Sequence, residues 1–192
     1  MFTDMFTEAE QHHIYSCKNK IVRHFEDMVI QPWFNGNIAI DWKKFYLTGG
    51  AIASLLQGEE PKDWDIYCSS VIEMEAAMKM LLLAKEHIAD VAENYIETYG
   101  TNGKMITNNA ITMKDGSSFI ILLTKPASDL KQTFDYLHCT PHYDIVDRKL
   151  YISRAQYDAI MNKNLVVNNA SMVKEWRTQK FLKRGYVEVK NV

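Results

Sequence analysis

The sequence predicts an α+β fold, with a small mixed β-sheet, flanking helices and a C-terminal helical segment. Short apolar segments bounded by Gly, Pro, Asp or Ser are typical of strands and lie between residues 44 and 152. Longer segments repeat apolar residues at three- and four-residue intervals, or are rich in Ala, Leu, Met, Glu and Lys, which indicates helices. The segment 153–192 is mostly helical in pattern.

The first half of the chain predicts helices and strands in alternation. Pro32 and Gly36 end the first helix, and Ser69 or Ser70 is expected to cap the third. The predicted elements are a helix from Thr7 to about Ile30, a strand at 44–48, a Gly49-Gly50 turn, a helix at 51–56, a strand at 62–67 and a helix at 74–95.

The second half predicts two hairpins, a further strand and three helices. The first hairpin has an Asp-Gly turn, which favours tight reversal of the chain. The predicted elements are strands at 110–113 and 119–123, a brief helix at 128–132, a strand at 134–138, strands at 143–145 and 150–152, a helix capped by Ser153 and running to about Met161, and a helix at 171–183 stopped by Gly185.

Two aspartates at alternating positions follow the glycine turn. Twelve residues separate Gly50 from Asp63, and Asp63 and Asp65 are predicted to lie on one face of a strand. Two carboxylates on one face repel each other unless a cation lies between them, and carboxylate oxygens suit Mg²⁺. A glycine turn at a helix start offers N–H groups and a positive dipole end to phosphate. Together these features indicate phosphoryl or nucleotidyl transfer.

The residues Leu47-Thr48-Gly49-Gly50 and Asp63-Trp64-Asp65-Ile66 resemble the signature of the polymerase-beta-type nucleotidyltransferase superfamily. That superfamily includes tRNA-tailing enzymes, aminoglycoside nucleotidyltransferases and small toxin-like members. The motif covers about twenty residues. Outside it, the segments 109–112, 134–136 and 180–186 are similar to small nucleotidyltransferase-like proteins of phages and large DNA viruses.

The resemblance implies that Asp63 and Asp65 hold Mg²⁺ or Mn²⁺ ions that position a triphosphate and activate a hydroxyl. It also implies a third carboxylate on a neighbouring strand. Asp135 is our choice, because an acid flanked by apolar residues on a predicted strand needs a partner. Asp115 in a hairpin turn and Asp144 in a polar segment are the competing positions, and an ion pair with Arg or Lys is the alternative role for Asp135.

Candidate phosphate-binding residues lie in two places. Gly49 and Gly50 are expected to let a phosphate approach the backbone, and the hydroxyls of Thr48 and Ser54 either bind phosphate or cap the helix. Near the C-terminus, a basic stripe on one helix face either binds triphosphate or RNA, or is simply solvated. Its members are Arg177, Lys180 and Arg184.

Composition limits the remaining possibilities. A net charge of −2 over 192 residues argues against extended DNA binding, although a local basic patch is compatible with it. No apolar segment has the length of a membrane span, and the N-terminus lacks signal-peptide features. Three cysteines without a framework spacing suit a reducing cytoplasm, which would be the host's if the protein comes from a phage. We expect one domain, divided into an N-terminal helix (1–35), a catalytic core (44–152) and C-terminal helices (153–192).

These observations predict an Mg²⁺-dependent nucleotidyltransferase that moves a nucleoside monophosphate from an NTP to an acceptor hydroxyl. The acceptor is an RNA end, a protein or a small molecule. The alternative prediction is a catalytically silent module of viral or antitoxin type that binds a nucleotide or a partner.

Overall fold

The computed structural model describes residues 5–28, 41–83, 110–112, 117–120 and 123–189. Its helices within these ranges are α1 (Glu8–Met28), α2 (Gly50–Leu56), α3 (Val71–Leu83), α4 (Ala127–Leu130), α5 (Arg154–Met161) and α6 (Glu175–Leu182). Its strands are β1 (Phe45–Thr48), β2 (Trp64–Cys68), β3 (Ala110–Thr112), β4 (Ser117–Ile120), β5 (His142–Asp144), β6 (Lys149–Tyr151), β7 (Asn164–Leu165) and β8 (Val187–Glu188).

Six strands form one mixed sheet in the order β3-β4-β2-β1-β5-β6. The central pair β1 and β2 is antiparallel, β2 and β4 are parallel, and the remaining neighbours are antiparallel. Strands β7 and β8 make a separate parallel pair near the C-terminus. The α+β prediction with a small mixed sheet is confirmed. The central strands carry the acid pair and the glycine turn to the same end of the sheet.

Local signals account for most of the element boundaries. Ser153 begins α5 with a capping box, in which its hydroxyl accepts from the Gln156 N–H and the Gln156 side chain accepts from the Ser153 N–H. Ser70 accepts from the Glu73 N–H at the start of α3. Both predicted hairpins form, as β3–β4 and β5–β6. The predicted helix beyond residue 83 and the turn at 114–116 lie outside the described residues.

The main core joins α1, α2 and α5 to one face of the sheet. Ile21 of α1, Ile52 of α2 and Ile66 of β2 are fully buried within it. The α1 helix is therefore part of the core, as its apolar spacing predicts. Among the described helices, none combines the length and apolar character that crossing a membrane requires.

A second core cluster holds the C-terminal segment against residues 134–139. Tyr136, Leu165, Phe181 and Tyr186 are buried within it. The imidazole of His138 lies among these rings, with its centroid 4.5 Å from that of Phe181 and 4.5 Å from that of Tyr186. His138 is 1% exposed and neither ring nitrogen has a hydrogen-bond partner among the described residues. Burial therefore lowers the pKa of His138 to about 4.

The cluster predicts a loss of stability in mild acid. The unfolded imidazole titrates near pH 6.5, so between pH 6.5 and about 4 the unfolded state binds more protons and folding weakens as the pH falls. We expect a loss of about 3 kcal/mol across that window from this residue. His142, whose pKa burial also lowers to about 4, adds a smaller loss because it is partly exposed.

Urea unfolding at pH 7 and pH 4.5 measures the effect. His138→Phe should lose less free energy of unfolding on acidification than the wild-type chain, since residue 138 then gains no proton in the unfolded state. His12→Gln is the matched control, because His12 is exposed on α1 and its removal should leave the acid loss unchanged. Identical acid losses in wild type and His138→Phe would show that His138 does not cause this loss.

The strand predicted at 134–138 is wrong. Only Tyr136 pairs with another segment there, in an isolated bridge to Val167, and Leu137–Cys139 form a 3-10 turn. Tyr136 is buried against the C-terminal helix, and the partly buried Phe134 packs both there and against Tyr67 of β2. The correction matters for the site, because Asp135 lies in this segment. The predicted helix at 171–183 is also shortened to α6, which is preceded by a 3-10 turn at Ala170–Met172.

Candidate active site

The glycine turn fits closely against the acid strand. Gly49 has φ +90° and ψ −152°, a conformation that is open essentially only to glycine, and its N–H donates to the Cys139 carbonyl at 3.1 Å. A Cβ placed on Gly49 would lie 3.1 Å from Oδ2 of Asp65. Gly50, the first residue of α2, has no heavy atom within 4 Å of the same position. The two glycines therefore have different roles.

Alanine substitutions should separate those roles. Gly49→Ala is expected to lower the free energy of unfolding by about 1–3 kcal/mol, because the side chain forces a rare backbone conformation and crowds Asp65. Gly50→Ala, the matched control, should leave stability unchanged or slightly higher, since alanine favours helix and meets open space. Denaturant titration of both variants tests this, and equal stabilities would contradict the role given to Gly49.

The acid pair lies where β2 begins. Asp65 is the second residue of β2 and is half-buried, whereas Asp63 precedes the strand and is exposed. Burial and, to a lesser extent, the charge of Asp63 raise the pKa of Asp65 to about 6, while Lys180 and Arg177 oppose the shift. A bound cation would stabilise a carboxylate whose charged form is disfavoured in this way.

Both acids line one narrow cleft with a volume of about 130 Å³. Three predicted groups meet there: the glycine turn, the acid pair and the basic stripe of the last helix. The lining residues are Gly49, Gly50, Ala51, Ser54, Lys62, Asp63, Asp65, Tyr67, Phe134, Cys139, Arg177, Lys180, Phe181 and Arg184. The cleft is small enough to enclose metal ions and phosphate groups, and a whole nucleotide would extend beyond it.

The basic residues of the cleft fall into two classes. Arg177 donates from Nε to Oδ2 of Asp135 and from Nη2 to Oδ1 of Asp135, the latter at 3.2 Å. Burial works against the charge of Arg177, but these hydrogen bonds outweigh it and raise the pKa of the guanidinium. Lys180 and Arg184 have no carboxylate within ion-pair distance among the described residues and remain available to a bound anion.

Asp135 does not occupy the position that the sequence predicts. Its carboxylate is 2% exposed, binds Arg177 and accepts from the Tyr136 N–H at 3.0 Å. Its backbone carbonyl accepts from the Asn168 N–H at 2.8 Å. The acid therefore has the alternative role considered from the sequence, a buried ion pair, and it holds Arg177 at the cleft.

Neither of the other two candidates for a third carboxylate is found at the cleft in the described part of the chain. Asp144 is on β5 and does not line the cleft, and Asp115 lies outside the described residues. On β4, the strand next to β2, Ser118 is the residue in register with Asp65. Within the described ranges no three His, Cys, Asp or Glu side chains form a group able to hold a metal.

The structure also corrects Thr48. Its side chain is 2% exposed, and the hydroxyl donates to the Pro141 carbonyl at 2.7 Å, so it neither reaches the cleft nor caps α2. Ser54, by contrast, lines the cleft.

Tyr67, Phe134 and Cys139 line the cleft but were not predicted as site residues. Tyr67 could have been found, since it lies two residues after Asp65 on the same strand and therefore on the same face. Phe134 and Cys139 reach the cleft through the fold of residues 134–139, for which the local sequence carries no signal.

The donor set fits a divalent metal. Mg²⁺ is commonly held by one or two carboxylates together with substrate phosphates and water, and Asp63 and Asp65 supply two. Burial and the charge of Asp63 raise the pKa of Asp65 despite the opposing charges of Lys180 and Arg177, so a bound cation would stabilise its charged form. A third protein ligand is therefore not required by the chemistry of the site.

Comparison with known sequences identifies the family. The profile of the Gabija anti-defense 2 family matches residues 14–163, which is most of the chain. The chain belongs to the Gabija anti-defense 2 family. This is a phage family, in agreement with the resemblance to phage nucleotidyltransferase-like proteins. No curated protein matches the chain.

Solved structures identify the fold of this Gabija anti-defense 2 family member. The CCA-adding enzyme of Thermotoga maritima, complexed with tRNA, superposes with a TM-score of 0.53 at 14% identity over 99% of this chain. The Bacillus stearothermophilus CCA-adding enzyme in complex with CTP gives a TM-score of 0.50 at 12% identity over 92%. The chain spans 42% and 41% of those proteins, less than half of their length. The fold is thus that of polymerase-beta-type nucleotidyltransferases.

Proposed function

We propose that this protein is a divalent-metal-dependent nucleotidyltransferase that acts against the Gabija defence system in the cytoplasm of a phage-infected host. The observation that carries the proposal is the meeting of Asp63, Asp65, the glycine turn and the cations Lys180 and Arg184 in one cleft. The nucleotidyltransferase fold and the family description support it. The reaction joins the α-phosphorus of an NTP to an acceptor hydroxyl oxygen and releases pyrophosphate.

The residues of the chain have distinct roles in this proposal. Asp63 and Asp65 hold Mg²⁺ or Mn²⁺, which when bound offsets triphosphate charge and orients the hydroxyl for attack. Lys180 and Arg184 bind the β- and γ-phosphates and favour the departure of pyrophosphate. Asp135 positions Arg177 at the cleft, and Gly49 allows Asp65 to lie directly against the turn.

Label transfer tests the proposal. The wild-type chain, Mg²⁺ or Mn²⁺ and each α-labelled NTP are incubated with total host RNA and with purified Gabija proteins, and the products are separated under denaturing conditions. Covalent label from α-labelled but not γ-labelled NTP is the expected result. Absence of label on every acceptor, with each nucleotide and metal, would overturn the enzymatic proposal.

A second candidate function is a silent module that binds a nucleotide or a Gabija component. It is favoured by the presence of only two acids in the cleft among the described residues. The same incubation separates the candidates, because a binder retains labelled NTP on native filters without forming a covalent product. A silent module should also gain thermal stability from NTP, by an amount that rises with the logarithm of the NTP concentration once this exceeds the dissociation constant.

A further inference from the structure

A second hollow opens beside the cleft, with a volume of about 610 Å³. It is lined by Lys62, Trp176, Gln179, Lys180, Lys183 and Arg184. We call this surface the Trp176 face. It carries four cations and no acid among its lining residues, although the whole chain has a net charge of −2. The Trp176 face is therefore locally positive, although the chain as a whole is slightly negative.

Trp176 is the exposed aromatic residue of this face. Its side chain is 62% exposed, whereas Trp42 and Trp64 are buried at 6% and 8%. The guanidinium of Arg177 lies 5.6 Å from the Trp176 ring centroid, and the exposed part of the indole remains open to a ligand. An exposed tryptophan in a hollow whose other lining residues are polar or charged is suited to stacking on a flat ligand.

The cations of the face lie around the indole along α6 and just beyond its end. Trp176, Lys180 and Lys183 are spaced at i, i+4 and i+7, which places them on one side of the helix. Neither lysine has a carboxylate within ion-pair distance in the part of the chain that the structure describes. A row of unpaired cations beside an aromatic ring matches a sugar-phosphate backbone that carries stacked bases.

The Trp176 face is continuous with the cleft. Lys62, Lys180 and Arg184 line both hollows, so a ligand on the face extends directly toward Asp63 and Asp65. The cleft itself holds only about 130 Å³ and leaves no room for an acceptor beside a triphosphate. An acceptor must therefore approach across an adjoining surface, and this face adjoins it.

We propose that the Trp176 face is the acceptor site and that the acceptor is a single-stranded nucleic acid. One base stacks on Trp176, a backbone phosphate contacts Lys183, and the terminal 3′ hydroxyl enters the cleft. There the 3′ oxygen bonds to the α-phosphorus of the NTP, the α–β phosphoanhydride bond breaks, pyrophosphate leaves and the hydroxyl proton passes to solvent. The transfer step rests on the proposed function, whereas the binding of the strand to the Trp176 face is independent of it.

Fluorescence anisotropy measures that binding without catalysis. A labelled 12-nucleotide oligoadenylate, as RNA and as DNA, is titrated with the full-length Asp63→Asn chain in the absence of NTP and metal. Trp176→Ala in this background should weaken binding by between about 5-fold and about 100-fold, whereas Trp176→Phe should retain most of it. Lys183→Ala should reduce the salt slope by about 0.7, one phosphate contact on a single strand. The RNA and DNA arms show whether the 2′ hydroxyl contributes.

The matched control is Tyr15→Ala, which removes another exposed aromatic residue, on α1 and away from both hollows. It should leave oligonucleotide binding unchanged. Equal affinities of Trp176→Ala and its Asp63→Asn parent would overturn the inference.

The affinity for free NTP is the second measurement. If Trp176→Ala weakens NTP binding by the same factor as oligonucleotide binding, the inference is overturned, since the indole would then hold the base of the incoming nucleotide. Failure of the proposed function is distinguishable from all of these results. It leaves strand binding intact and removes only covalent transfer by the wild-type chain.

Discussion

Substitution of Asp65 by Asn is expected to abolish nucleotidyl transfer while leaving the fold intact. Loss of a metal-binding carboxylate removes several kcal/mol of charge stabilisation, which corresponds to about a thousandfold in rate or more. Since burial and the neighbouring Asp63 already disfavour the charged form of Asp65, the neutral amide should not lower the free energy of unfolding at pH 7. Initial rates of label transfer and urea unfolding measure the two quantities.

Asp63→Asn should show the same loss of transfer. Asp144→Asn is the matched control, because Asp144 is a half-exposed carboxylate of the same sheet that does not line the cleft. Its transfer rate should equal that of the wild type. Mg²⁺ should raise the melting temperature of wild type in the presence of NTP but not that of Asp65→Asn. Transfer at wild-type rates by both cleft variants would remove the metal site from the account.

Substitution of Asp135 by Ala is expected to destabilise the protein by about 3–5 kcal/mol. It leaves the guanidinium of Arg177 partly buried without a partner, and removing one member of a buried ion pair has a cost of that order. That is a large fraction of the stability of a typical small protein. Denaturant unfolding at pH 7 measures the change.

The double variant Asp135→Ala with Arg177→Met is the control, because it removes both charges and should recover part of the loss. A further variant, Asp135→Asn, separates the two roles considered for Asp135, the ion pair with Arg177 and the third metal ligand. If Asp135 were a metal ligand, Asp135→Asn would keep the stability of the wild type but lose transfer. Wild-type stability of Asp135→Ala together with absent transfer would restore the metal role that the sequence predicted.

The elements that could be predicted from the sequence are those determined by local chemistry. The Gly49 turn requires a conformation only glycine adopts, Ser153 caps α5 through its own first turn, and short apolar segments locate β1 and β5. Each of these signals lies within about ten residues of the structure it determines. The spacing from Gly49-Gly50 to Asp63 and Asp65 belongs to the same class, because one helix joins the two.

The elements that could not be predicted depend on distant partners. Asp135 and Arg177 are 42 residues apart in sequence, and their pairing requires α6 to pack against residues 134–139. The alternating apolar residues of 134–139 are compatible with a strand and equally with a buried loop, so the sequence does not distinguish the two. For the same reason the sequence does not show that Trp176 stays exposed while Phe181, five residues later, is buried. The boundaries given for the N-terminal, core and C-terminal regions stay predictions.

The most direct test of the account is a crystal structure with Mn²⁺ and an NTP analogue that resists cleavage between the α- and β-phosphates. The account predicts an anomalous manganese peak bound by the carboxylates of Asp63 and Asp65, with the triphosphate against Lys180 and Arg184. Manganese and nucleotide bound elsewhere, with both carboxylates facing only water, would contradict it.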